Sequence, residues 1–83
     1  MVANDKAIVM RMMALLQFEI MTLSERRRLE LLKLDFLQEG ASNRVLAELI
    51  DLADPYADHQ RNAFSTMLML VRGVQFTKEK EEQ

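Results

Sequence analysis

The sequence predicts an all-α protein: a small helical bundle of three to four helices, completed by homodimerisation. Three observations carry this. Glycine occurs twice and proline once in 83 residues, so little interrupts a helix. β-branched residues are sparse, and no stretch shows the strict apolar–polar alternation of a half-buried strand. Apolar residues instead recur at helical spacing, between residues suited to helix ends.

The first helix is predicted from about Asp5 to Met21. From Ile8 to Met21 only Arg11, Gln17 and Glu19 are polar. Ile8, Met12 and Leu15 cover one side of that helix. Val9, Met13, Leu16 and Ile20 cover the next, and Met10, Ala14, Phe18 and Met21 much of the rest. A surface helix needs one apolar stripe, and this one carries more than a single neighbouring layer hides. It is therefore expected to supply a shared dimer core, with Val9, Met12, Met13, Leu16 and Ile20 at the interface.

Thr22-Leu23-Ser24-Glu25 reads as a capping box that opens a second helix reaching about Glu39. A single helix from Asp5 to Glu39 is the alternative, since neither Gly nor Pro breaks the run. Leu29, Leu32 and Phe36 form one stripe of the second helix, and Leu23, Leu31 and Leu34 lie roughly opposite. Gly40 sits where a left-handed C-terminal cap belongs. Ser42 caps a third helix over Asn43 to Ala53, which offers Leu46, Leu49, Ile50 and Ala53. Asp54-Pro55 reads as the start of a fourth, from about Pro55 to Val74, with Tyr56, Ala63, Phe64, Met67, Leu70, Val71 and Val74 on one broad face. Residues 1–76 are taken as one helical domain and 77–83 as a charged flexible tail.

Size and charge narrow the function classes. A chain of 83 residues buries a modest share of its unfolded surface, so disulfides, metals or oligomerisation usually support it. There is no cysteine and one histidine, His59, so neither a disulfide nor a cysteine or histidine metal site is available. Oligomerisation is the support left, and a hydrophobic fraction of 49% with seven methionines suits it. A net charge of −2 does not describe a globally basic nucleic-acid binder. The apolar stretch is too short to span a bilayer. It follows Lys6 as a signal peptide would, but no small-residue cleavage site comes after it. A cytoplasmic protein is expected, with no cofactor, no metal and no membrane partner.

The run Arg26-Arg27-Arg28 is the most unusual polar feature. Cations near a helix N-terminus oppose the macrodipole, so the run suggests a patch for an acidic protein or nucleic acid. The plainer reading pairs it with Glu25, Glu30 and Asp35 on a solvated face, because consecutive residues point about 100° apart. His59 with Asp58 and Ser65 does not make a triad: the two neighbours diverge on a helix, and no glycine-rich turn supplies an oxyanion hole. Asp51, Asp54 and Asp58 lack the loop glycine and bidentate glutamate of a calcium loop. A helix-turn-helix over Leu46 to Arg61 would bring Asp54 and Asp58 against phosphates. No catalytic residues are assigned.

Leu37-Gln38-Glu39-Gly40, a short polar link with Ser42 and Arg44, Leu46-Ala47-Glu48-Leu49-Ile50, Asp58, and Leu68 to Val71 together resemble a known family. It is the YmgB/AriR group of enteric biofilm-development and acid-resistance regulators. The resemblance covers roughly Leu29 to Val71; the first helix lies outside it. It implies a short all-helical dimeric regulator that acts through protein contacts, with DNA as a further possibility. The expected function is thus that of a non-enzymatic regulatory protein that binds another protein as a homodimer. The alternative is a dimeric DNA-binding regulator using Arg26, Arg27, Arg28 and Arg44.

Overall fold

The computed structural model describes residues 5–59 and 62–81 (of residues 58, 59 and 62, the backbone). It contains α1 (Asp5–Leu16), α2 (Leu23–Glu39), α3 (Asn43–Ala53), a 3-10 segment (Asp54–His59) and α4 (Asn62–Glu81). No strand occurs among the described residues. The all-α bundle read from the sequence is the fold.

Local chemistry sets most boundaries. Thr22 sits in extended backbone, its hydroxyl accepts from the Glu25 N–H, and the Glu25 carboxylate accepts from the Thr22 N–H. Both halves of the capping box are present, so α1 and α2 are separate helices. α1 ends five residues earlier than the sequence suggested, at Leu16. Phe18 N–H bonds to Leu15 and Glu19 N–H to Leu16, a tightened last turn that leaves residues 20–22 non-helical before the cap. Gly40 follows α2 at φ 67, ψ −150, a backbone state open essentially to glycine alone. Ser42 caps α3 by accepting from the Val45 N–H.

Pro55 does not open α4. It has no N–H to give the Asp51 carbonyl, so α3 cannot continue past it as an α-helix. Asp54 keeps helical dihedrals, and the chain tightens into the 3-10 segment instead. At the other end, α4 runs through Thr77 to Glu81, where a flexible tail was expected. Lys78 and Lys80 lie in that last turn and complement the dipole. Lys80 also sits over the Phe76 ring, 5.6 Å from its centroid.

α3 is the pivot of the bundle. It packs against α2 on one side and α4 on the other, and α4 packs in turn along α1. Val45, Leu46, Leu49, Leu52 and Ala53 of α3 are buried, as are Phe64, Leu68 and Val71 of α4. α2 contributes Leu29 and Leu32. On α4, Met67 and Val74 are half-buried, but Ala63 and Leu70 from the expected face are exposed and Leu68 takes their place in the core. α1 and α2 touch little, which leaves a cleft between them.

Val9, Met12, Met13 and Leu16 are buried in this core by their own chain, at 0%, 0%, 4% and 0% exposure. That overturns the expectation that a lone chain has too little material to cover them. α4 supplies the missing cover: its last turns reach the start of α1, and Asp5 and Ile8 share a hollow with Val74, Thr77 and Lys78. Of the five residues expected at a dimer interface, Ile20 alone is exposed, at 95%.

Candidate binding surface

Polar side chains on α2, α3 and the 3-10 segment engage one another at several points. The link between α1 and α2 is tied down at Glu25. Its Oε1 accepts from the Thr22 N–H and from the Tyr56 hydroxyl, both at 2.8 Å. The Thr22 N–H and then the Tyr56 hydroxyl hold the Glu25 carboxyl below its usual range. Burial, and then the Glu25 carboxylate, push the Tyr56 phenol up. This joint fixes where the 3-10 segment meets the start of α2.

The arginine run does not make a patch. Arg28 reaches across to α3 and binds Glu48 at 3.3 Å and Asp51 at 3.1 Å. Arg26 turns back to the Glu19 carbonyl, 3.3 Å away. Arg27 is exposed and forms no ion pair among the described residues. Arg44 is clamped by Glu39 and by Asp35 at 3.0 Å, and these carboxylates, Glu39 first, raise its pKa above the ordinary guanidinium value. Three of the four arginines assigned to a nucleic-acid surface are thus already satisfied, two of them by carboxylates that would repel phosphate. Asp54, considered as a helix cap and as a cation ligand, is held by Arg72. No group of acidic, histidine or cysteine side chains among the described residues is arranged to hold a metal ion. The side chains of Asp58 and His59 lie outside the described residues.

The bundle leaves open a mostly polar hollow between the start of α1 and the end of α2, with Asp5, Lys6, Gln38, Glu39 and Ser42 in its lining, and two apolar surfaces. The cleft between α1 and α2, about 340 Å³, is lined by Met10, Met13, Ala14, Phe36 and Leu37, with Gln17 and Lys33 at its rim. Beside it runs the outer face of α2, where Leu23, Leu31, Leu34 and Leu37 are 69%, 62%, 58% and 79% exposed. Met69 and Phe76 are exposed on α4, and Phe18 and Ile20 in the link after α1. Single exposed leucines are ordinary, but a row of them along one helix makes a contiguous apolar face. The sequence pointed to Leu23, Leu31 and Leu34 as a second stripe. It missed Leu37, which the three-residue step after Leu34 signals, and it missed the cleft, which depends on how far apart two helices lie.

This arrangement defines a class of protein, a small helical bundle with open apolar faces. The comparisons with known proteins go no further: no family model, no curated protein and no solved structure matches the chain. No described helix is long and apolar enough to cross a membrane.

Proposed function

We propose that the protein is a small non-enzymatic regulator of the cytoplasm that acts by binding other protein chains, and does so as a homodimer. The observation that carries this reading is the surplus of open apolar surface on α1 and α2 of a bundle whose described core is already closed. A cleft between two helices, floored by methionine, alanine and phenylalanine, suits the apolar face of a partner helix. Met10, exposed in its lining, adapts to more than one side-chain pattern. The likeness of the Leu29–Val71 segment to biofilm-development regulators is the ground for a regulatory role. The nucleic-acid alternative loses support from the separate engagements of Arg26, Arg28 and Arg44.

Two measurements test the reading. Light scattering on the eluting protein is expected to give twice the 9.7 kDa chain mass. A partner retained by the wild-type chain is expected to be lost when Ala14→Glu places a carboxylate in the cleft, with helicity unchanged. Retention of every partner by that variant removes the cleft from the function. A clean monomer removes the homodimer.

A further inference from the structure

The exposed face of α2 has a spacing that helical periodicity alone does not require. Leu23, Arg27, Glu30, Leu34 and Leu37 follow one another at alternating steps of four and three, the seam of a coiled coil. All five lie on α2, and Ile20 stands in the non-helical link ahead of it. The two ends of the seam are apolar and its middle is one cation followed by one anion. Leu23, Arg26, Arg27, Glu30 and Leu31 surround a hollow on this face, the kind of site that accepts a knob from a facing helix.

We propose that a second copy of the chain covers this face, with the two α2 helices antiparallel and Arg27 of each copy against Glu30 of the other. The proposal rests on the homodimer reading above and says which face makes the dimer. Charge selects both the orientation and the register. In a parallel pair, like layers meet: Arg27 faces Arg27 and Glu30 faces Glu30, with like charges at the centre of the seam. In an antiparallel pair centred between Arg28 and Leu29, Arg27 meets Glu30 and Leu23 meets Leu34, while Leu37 lies beyond the N-terminus of the facing helix. Sliding one repeat either way sets Arg27 against Leu37 and Glu30 against Leu34, or Arg27 against Leu23 with Glu30 beyond the end of the facing helix. Each slide separates the two charges and sets Arg27 against a leucine. One register therefore pairs Arg27 with Glu30, and it maps onto itself under a two-fold axis, as a homodimer interface must.

The groups in that central layer are free to meet. Arg27 has no ion pair among the described residues, unlike Arg28 and Arg44. Glu30 binds Lys33 through Oε2 at 3.1 Å, so its second oxygen is the one that takes the incoming guanidinium. Such a layer inside an apolar seam specifies pairing more than it adds stability.

The test is charge exchange combined with cross-linking in a chain that has no cysteine of its own. Wild-type protein at roughly 100 µM, a concentration that fills a dimer of micromolar Kd, is expected to scatter as a dimer. Arg27→Glu and Glu30→Arg are each expected to raise the dimer dissociation constant at least about tenfold, and the double exchange to restore it. Leu23→Cys with Leu34→Cys in one chain is expected to oxidise to a covalent dimer, because their Cα atoms come within the roughly 7 Å a disulfide spans. Leu23→Cys alone is expected not to, because its copy lies about 16 Å further along the seam. Circular dichroism confirms that each variant keeps its helices. A dimer that ignores the charge exchange, or that cross-links through Leu23→Cys alone, overturns the α2 pairing and leaves the homodimer reading standing. A wild-type monomer at that concentration overturns both.

Discussion

α1 and α2 both carry apolar residues on more than one side, but only α1 hides most of them. Between Ile8 and Leu16, α1 carries Arg11 as its one charged residue, and four of its large apolar residues are buried completely or nearly so. α2 is crowded with charge, yet it leaves four leucines in solvent. The difference is position. α1 lies against α4 for much of its length and also touches α3, so it is covered on more than one side. α2 stands at the edge with α3 as its main neighbour, and one neighbour covers one stripe. Apolar content therefore measures how much a helix has to hide. Its place in the bundle decides whether the helix hides it.

The sharpest way to break this comparison is to truncate one leucine from each helix. Leu16→Ala empties a fully buried site where α1 meets the core. It is expected to cost about 2–5 kcal/mol of unfolding free energy, read from urea denaturation at dilute, monomeric concentration. Leu34→Ala, at a residue 58% exposed, is expected to change the same quantity by no more than about 0.5 kcal/mol. If the two costs come out equal, the core is not where the structure places it.

The two glycines separate a required conformation from a tolerated one. Gly40→Ala forces a side chain into φ 67, ψ −150, and its Cβ would lie 3.4 Å from the Lys6 side chain at the start of α1. The expected loss is about 1–3 kcal/mol. Gly73→Ala lies inside α4 with nothing within 4 Å of the added carbon, so it is expected to stabilise by about 0.5–1 kcal/mol. Thermal unfolding of the pair reads both signs. A rise in Tm for Gly40→Ala would show that α2 does not end there.

How much was legible in the sequence follows from the range of the interactions. The start of α2, the Ser42 cap and both ends of α3 depend on residues three or four apart, and each is readable from the chain, whereas the end of α1 at Leu16 was placed five residues too late. Asp54-Pro55 misled because a proline after an aspartate opens a helix or ends one, and the α3 hydrogen bonding in place before it decides which. The interface residues misled for a longer-range reason. Whether Met12 is covered depends on a helix some fifty residues away, and no local pattern reports that. The second stripe of α2 was visible, but its meaning needed the observation that no described residue lies over it.

The cap that makes α2 a separate helix offers a finer test. Thr22→Ala removes the acceptor of the Glu25 N–H and is expected to cost about 1 kcal/mol. A cost near zero would mean that Tyr56 alone holds the joint.

The smallest expected effect is in the pH dependence at the same joint. The Thr22 N–H and then the Tyr56 hydroxyl depress the pKa of Glu25 in the folded chain. A carboxylate lowered on folding adds stability above the ordinary glutamate range, and that contribution is lost as pH falls through the depressed value. Glu39, lowered by Arg44 and Ser42, contributes with the same sign and remains as an internal reference. Glu25→Gln keeps an acceptor for both donors and removes the titration. The difference in Tm between wild type and Glu25→Gln is therefore expected to shrink as pH falls from neutrality to about 3, below the ordinary carboxylate values. If the two curves stay parallel throughout, the charge on Glu25 contributes nothing to holding the start of α2, and the hydrogen-bond geometry alone marks the point where the covered helix gives way to the open one.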